Sequence, residues 1–283
     1  MLVMKIDNLV EGSIIKRPSK IVKSPYVADV IINDNEILAH TASLGCCGLS
    51  DAGAEILLEP INNKGSKKTD DIKCLYRAQL SIINEKNHEI IVGIHPKLAE
   101  QIVENCLIKN CLSILQDVKR YKRETKIFVE NKVDSRFDFS GIDKNGIPFI
   151  MEVKNVPLAD YEDITSKERK KMCYDDREFD TKVAYFPDGY RKKSSDPVSP
   201  RALKHIRELT LIKRESKTRC IMCYVINRDD INRFQVSTID PEYRAAVKEG
   251  MEAGVEIIRL VVRWTRDGEA YFVKDDLYMT DII

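Results

Sequence analysis

The residues best suited to chemistry lie between Arg136 and Asn155. Arg136-Phe137-Asp138-Phe139 is followed by Asp143-Lys144-Asn145-Gly146 and then by Met151-Glu152-Val153-Lys154-Asn155. The pattern predicts two strands joined by a tight turn. In a strand, residues i and i+2 point to the same face, so Glu152 and Lys154 project together. Asp138, on the neighbouring strand, completes the group. Two carboxylates can hold a hard divalent cation through oxygen, with Mg²⁺ as the natural candidate and Mn²⁺ as its substitute. The lysine beside them can orient a water and offset charge on a phosphoryl oxygen. Such a set suits metal-assisted phosphodiester hydrolysis, with an activated water attacking in line. An acid, an apolar residue and a lysine also recur on strands as a solvated, salt-bridged face. The Asp138 strand just upstream is what favours a site.

Other residues are weaker candidates. Asp188 follows Phe186-Pro187 at a strand end, where side chains of α/β sheets face a site and where aspartates also cap turns. Lys204 and His205 lie one turn into a helix opened by Ser199-Pro200. Lys204 is placed to reach a phosphate, whereas His205 reads better as a hydrogen-bonded packing residue. Cys220 and Cys223 have zinc-like spacing, but i and i+3 face opposite sides of a strand and no second pair of the kind exists. Buried thiols are therefore expected there. Cys46-Cys47 sits in a Gly-flanked loop with no evident use.

The elements that must position these residues divide the chain. Up to about residue 95, alternation and β-branched content predict strands at Gly12–Pro18, Tyr26–Asn33, Glu36–Ala42, Ala54–Pro60 and Cys74–Asn84. Asp34-Asn35 is the expected turn of a hairpin, and Asn62–Asp71 reads as a solvated loop. Five short strands suggest a small barrel, for which an OB-fold is one solution. His95-Pro96 opens a helix expected to run to about Asp117. Beyond it, strands are expected at Thr125–Glu130, Arg136–Ile142, Phe149–Val153, Val183–Phe186, Cys220–Ile226 and Val255–Trp264. Helices are expected after Ser199-Pro200 and Asp240-Pro241. The fold class is α/β (α+β), with the boundary near Asn84–Gly93.

Composition narrows the function classes. Of 283 residues, 46 are Lys or Arg and 45 Asp or Glu, for a net charge of +1. That balance excludes a histone-like basic protein and an acidic disordered chain. No apolar run approaches the roughly 20 residues of a membrane helix. The N-terminus carries Lys5, Asp7 and Glu11 and lacks the apolar core of a secretory signal. The eight cysteines are spread out, as suits reduced thiols in a soluble, cytoplasmic protein. Basic residues cluster locally at Lys16, Arg17, Lys20 and Lys23, at Lys119 to Lys126, and from Arg191 to Arg219. Basic surfaces around an acidic centre suit a nuclease. No recognition helix or zinc-finger spacing is visible, so sequence-specific readout is not expected.

The ordered motifs resemble one family. Arg136-Phe137-Asp138-Phe139, Glu152-Val153-Lys154-Asn155-Val156, Phe186-Pro187-Asp188, Lys204-His205-Ile206-Arg207-Glu208-Leu209, Ile239-Asp240-Pro241-Glu242-Tyr243 and Glu249 to Ile257 follow the order seen in the sugar fermentation stimulation protein A family. Tyr26 to Val30 and Leu44-Gly45 suit that family's N-terminal barrel, while Ala42–Gly53 is altered and Lys192–Val198 is expanded relative to it. The resemblance implies an OB-like β-barrel over residues 1–88, followed over 89–283 by a restriction-endonuclease-like mixed-sheet domain of the PD-(D/E)xK type. It implies that Asp138, Glu152 and Lys154 are the core motif and that Glu124 is the upstream acid. Asp138 and Glu152 would hold the metal, with Glu124 assisting, and Lys154 would orient or activate the nucleophile. Lys204, Arg123, Arg136, Lys16 and Arg17 are the expected nucleic-acid contacts, with Asp188 and His205 as additional site residues. The implied activity is a metal-dependent nuclease acting on DNA, with RNA as an alternative substrate and little sequence preference. The implied partners are nucleic acid rather than membrane, with a homodimer as one option. The alternatives are a DNA-binding regulator without physiological cleavage and a sugar-metabolism regulator acting through protein partners.

Overall fold

A computed structural model describes residues 1–41, 48–61, 74–130, 132–169, 171–187 and 196–282. Cys46-Cys47, Leu44-Gly45, the Asn62–Asp71 loop, Asp188 and the basic run Arg191 to Lys193 lie outside the described residues. The strands of the first part are β1 (Leu2–Lys5), β2 (Val10–Lys16), β3 (Val27–Ile32), β4 (Asn35–His40), β5 (Glu55–Pro60), β6 (Tyr76–Glu85) and β7 (His88–Gly93). Helix α1 (Pro96–Ile108) leads to β8 (Arg120–Val129), β9 (Val133–Ile142), β10 (Pro148–Val156), β11 (Ala159–Asp160), α2 (Ser166–Arg169) and β12 (Lys182–Phe186). The chain ends with α3 (Pro200–Glu215), β13 (Arg219–Ile226), β14 (Ile231–Val236), α4 (Pro241–Glu252), β15 (Glu256–Trp264) and β16 (Glu269–Lys274).

Strands β2 to β7 form one sheet in the order β4-β3-β2-β5-β6-β7, which curls until β4 also meets β6, giving the OB-like barrel. Its interior is apolar, with Ile14, Val30, Ile56, Leu58 and Val92 buried together. Gly12 permits this closure, because a Cβ there would meet the Ile31 carbonyl oxygen at 2.8 Å. The first hairpin turns at Asn33-Asp34, one residue earlier than expected: Ile32 pairs with Asn35, and both turn residues have positive φ. That conformation matches the right-handed twist of the flanking strands. Lys86-Asn87 repeats the device between β6 and β7.

The larger sheet is mixed, in the order β1-β16-β15-β13-β10-β9-β8, and a three-stranded sheet β11-β12-β14 lies beside it. The central pairs β10–β13 and β13–β15 are parallel, while β9–β10 and β15–β16 are antiparallel. One face packs on α1 through Leu98, Val103, Met151, Val153 and Val225, with Leu80 and Ile91 of the barrel joining the same core. The other face packs on α3 and α4 through Ile150, Ile206, Met222, Tyr243 and Val247. Neither end of the 1–88 division coincides with a sheet boundary, because β1 adds to the larger sheet and β7 to the barrel.

Helix α1 stops at Ile108 rather than near Asp117. Asn110 takes a positive φ, and its side chain closes a loop with Asp117 at 2.6 and 2.8 Å. Cys220 and Cys223 are fully buried, as expected of packing thiols. Burial raises both thiols, Cys220 to about 12. Among the described residues, no helix is long and apolar enough to cross a membrane.

Candidate active site

The β9–β10 turn sets the site's geometry. Asp143, 2% exposed, accepts the N–H groups of Asn145 and Ile147, each at 2.9 Å, and pairs with Arg219 at 3.1 Å. Gly146 supplies the positive φ that closes the turn. Pairing then runs from Pro148–Ile142 to Met151–Phe139. One residue further on, the ladder opens, and Asp138 Oδ2 accepts the Val153 N–H at 2.7 Å in place of a carbonyl. The carboxylate is thereby fixed at the point where β9 leaves β10.

Glu152 and Lys154 leave β10 on the α3 side and meet there. Lys154 Nζ donates to Glu152 Oε1, and His205 Nδ1 of α3 donates to the same oxygen. Lys154 Nζ lies 3.4 Å from that ring nitrogen, and the ring packs against Phe137 with centroids 5.7 Å apart. Glu152 is 1% and His205 3% exposed. The second oxygen, Glu152 Oε2, is buried without a hydrogen-bond partner. A buried carboxylate oxygen with no donor is costly unless something else satisfies it.

The electrostatics separate the two acids. Burial, and then the charge of Glu152, push Asp138 up to about 7. Burial also opposes ionisation of Glu152, but Lys154 and His205 together outweigh it and hold the carboxyl below its ordinary value. Glu152 is therefore the more readily ionised of the two, and Asp138 is the acid raised towards neutrality.

The remaining expected residues divide. In the β8–β9 ladder Arg123 pairs with Phe139 and Thr125 with Phe137, which sets the Glu124 backbone across from Asp138. Glu124 has φ +48° there, a strained value in mid-strand, and its exposed carboxylate pairs with Arg136 at 3.3 Å. Arg123 is held by Glu104 at 2.7 Å and Glu100 at 2.9 Å, acids of α1. Lys204 is exposed and donates to the Asp134 carbonyl at 2.6 Å. Arg17 has an 8% exposed side chain that donates to the Pro25 carbonyl at 2.9 Å and to Ser50, so it braces the barrel's own loops. Lys16 is exposed at the end of β2. Among the described residues, no group of three or more His, Cys, Asp or Glu is placed to hold a metal.

Glu208 joins the site's surroundings without having been singled out. Three residues beyond His205 on α3, it is 5% exposed and accepts the Asp134 N–H at 3.0 Å, and its Oε2 lacks a partner. The i, i+3 spacing to His205 was the available signal.

Comparison with known proteins places the chain in a family. The family model described as the sugar fermentation stimulation protein RE domain matches residues 97–268, which carry Asp138, Glu152, Lys154 and His205. A sugar fermentation stimulation protein homolog of Jannaschia sp. (strain CCS1) is 31% identical over 82% of this chain and 81% of its own length. One from Prochlorococcus marinus (strain MIT 9301) is 27% identical over 94% of each. The structure of Pyrococcus furiosus SfsA in complex with Ca²⁺ superposes with a TM-score of 0.74 at 20% identity, covering 99% of this chain and 100% of that one. The chain belongs to the sugar fermentation stimulation protein (SfsA) family.

Proposed function

We propose that the protein is a metal-dependent nuclease that hydrolyses phosphodiester bonds of DNA, with RNA as a further substrate and little sequence preference. The observation that carries this reading is the coupled pair Asp138 and Glu152 beside Lys154. One acid is pushed up to about 7, and the other keeps a buried oxygen without a donor. Both features are what a cation between the two side chains would relieve, and oxygen donors suit Mg²⁺ or Mn²⁺. The Ca²⁺ bound by the Pyrococcus furiosus relative supports a hard-cation site on this fold. Asp138 and Glu152 would hold the ion, and Glu124 would join them on leaving Arg136.

Such an ion supplies Lewis-acid activation of water and neutralises charge on the scissile phosphate. The chain's own groups do the rest. Lys154 Nζ orients the attacking water and offsets developing charge at a phosphoryl oxygen. His205 Nδ1 holds Glu152 in place, so that the carboxylate need not reorganise during the reaction. The exposed Arg136 and Lys204 are placed to contact the backbone of the strand being cut.

A second reading, a DNA-binding regulator without physiological cleavage, is favoured by one feature. Glu124 is spent on Arg136, and Glu152 Oε1 on Lys154 and His205. Purified protein should degrade DNA with Mg²⁺ or Mn²⁺ and stop on adding chelator. Protein that binds single- and double-stranded DNA but leaves both uncut in either metal would establish the second reading.

A further inference from the structure

A concave site that shares no lining residue with the acidic pair lies where the barrel, the first turn of α1 and the segment after β1 meet. It is a cavity of about 400 Å³ lined by Arg77 and Gln79 of β6, Glu59 of β5, and His95, Lys97 and Gln101 at the amino end of α1. That volume falls in the range of small-molecule sites, roughly 300–1,000 Å³.

The lining is polar and incompletely used. His95 is 7% exposed, and its ring makes no hydrogen bond among the described residues; Gln79 is 6% exposed and donates its Nε2–H to Glu59 at 2.6 Å, with its Oε1 closed off from solvent. Burial first, then the charges of Arg77, His40 and Lys97, push His95 down to about 4, so it offers one donor and one acceptor at neutral pH. Helix α1, thirteen residues long, begins with Pro96, lacks a side-chain cap and has no acid in its first turn. Its positive end therefore has no acid of its own helix beside it where Lys97 enters the cavity wall. Lys97 has no acid partner among the described residues, and Arg77 reaches Glu59 only at 3.7 Å. The wall carries three cations, Lys5, Arg77 and Lys97, against two acids, Glu59 and Asp7, and Lys5 is paired with Glu269 at 3.1 Å.

We propose that this cavity binds a phosphate monoester, its anionic head against Lys97, Arg77 and the amino end of α1 and its neutral body against His95. A monoester presents several charged oxygens, which suits a fork, an ammonium and a helix terminus together. The cavity is larger than a bare phosphate requires, so the ligand carries hydroxyl or amide groups that meet the neutral imidazole. The same chemistry occurs in a free nucleotide and at the phosphorylated end of a nucleic-acid strand.

Calorimetry on the full chain in chelator tests this independently of metal-dependent cleavage, with AMP, adenosine and inorganic phosphate as probes. AMP should bind saturably, adenosine should not, and inorganic phosphate should bind more weakly than AMP. Arg77→Gln and Lys97→Gln, both at solvent-accessible positions, should each weaken AMP roughly tenfold, the loss of one charged hydrogen bond, whereas Asp138→Ala should bind AMP as the wild type does. Competition by a 5′-phosphorylated oligonucleotide, but not by its unphosphorylated twin, would assign the source to a strand end; absence of competition would assign it to a free ester. No saturable AMP binding, or binding indifferent to both substitutions, would overturn the proposal. So would binding abolished by Asp138→Ala, which would place AMP at the acidic pair instead.

Discussion

At the residue scale, Glu152 Oε1 receives two donors while Oε2 receives none, and Asp138 sits above its ordinary value. The two acids therefore answer differently to pH and to substitution. The Asp138 carboxyl is raised in the fold from 3.8 to about 7. Its own contribution to stability is full below the unfolded value and is lost progressively as pH rises through about 7, because the unfolded chain ionises more easily. In chelator, the thermal midpoint should thus fall between about pH 4.5 and 7.5, and Asp138→Asn should flatten that slope. An unchanged slope in the variant would mean that another group carries it. Lys154→Ala should leave Mn²⁺ binding measurable by calorimetry while lowering single-turnover cleavage by about 10²–10⁴-fold. A variant that cleaves at the wild-type rate would remove the lysine from the reaction. That Glu152 and Lys154 meet on one face was legible, because strand alternation fixes which side chains of one strand share it. The part of His205 was not: its contact with Glu152 spans 53 positions and depends on where α3 lands.

At the element scale, the site depends on the β9–β10 turn. Asp143 bonds two turn amides and Arg219, and this register brings Asp138 to the Val153 N–H. Asp143→Ala should cost roughly 1–3 kcal/mol in chemical denaturation, since it strips two turn amides of their acceptor, while Arg219 keeps Glu256 at 2.6 and 2.8 Å. A loss below about 0.5 kcal/mol, typical of a neutral surface change, would show that register is fixed elsewhere. The strands around this turn were legible from alternation and from the Asp-Lys-Asn-Gly signature. Strand β1 was not, because four residues carry too little periodicity and its partner, β16, lies at the other end of the chain. Strand β14 was missed because Asn232, Arg233 and Gln235 interrupt its apolar residues. The C-terminus of α1 was overrun because the stop comes from Asn110 in a left-handed conformation, with Asp117 as its distant partner.

At the scale of the whole molecule, a nearly neutral chain presents local basic clusters, but the fold spends several of the cations. Arg123 is locked to α1 and Arg17 to the barrel loops, partners that composition does not reveal. Arg136 and Lys204 remain exposed beside the site. DNA affinity should therefore fall with salt along a shallow slope, about one unit of log K per phosphate contact and few contacts in all. Salt-independent binding would show that backbone charge is not what holds DNA. The order of the elements, barrel first and mixed sheet second, was legible; their joint core was not, since it is built by side chains such as Leu80 and Ile91 that leave the barrel wall to meet α1. The most direct measurement compares DNA cleavage by the wild type and by Glu152→Ala in the same Mg²⁺ or Mn²⁺ buffer, with circular dichroism confirming that both are folded. Cleavage that depends on metal in the wild type and vanishes in the variant is the predicted result; a folded Glu152→Ala protein that cleaves at the wild-type rate would contradict it.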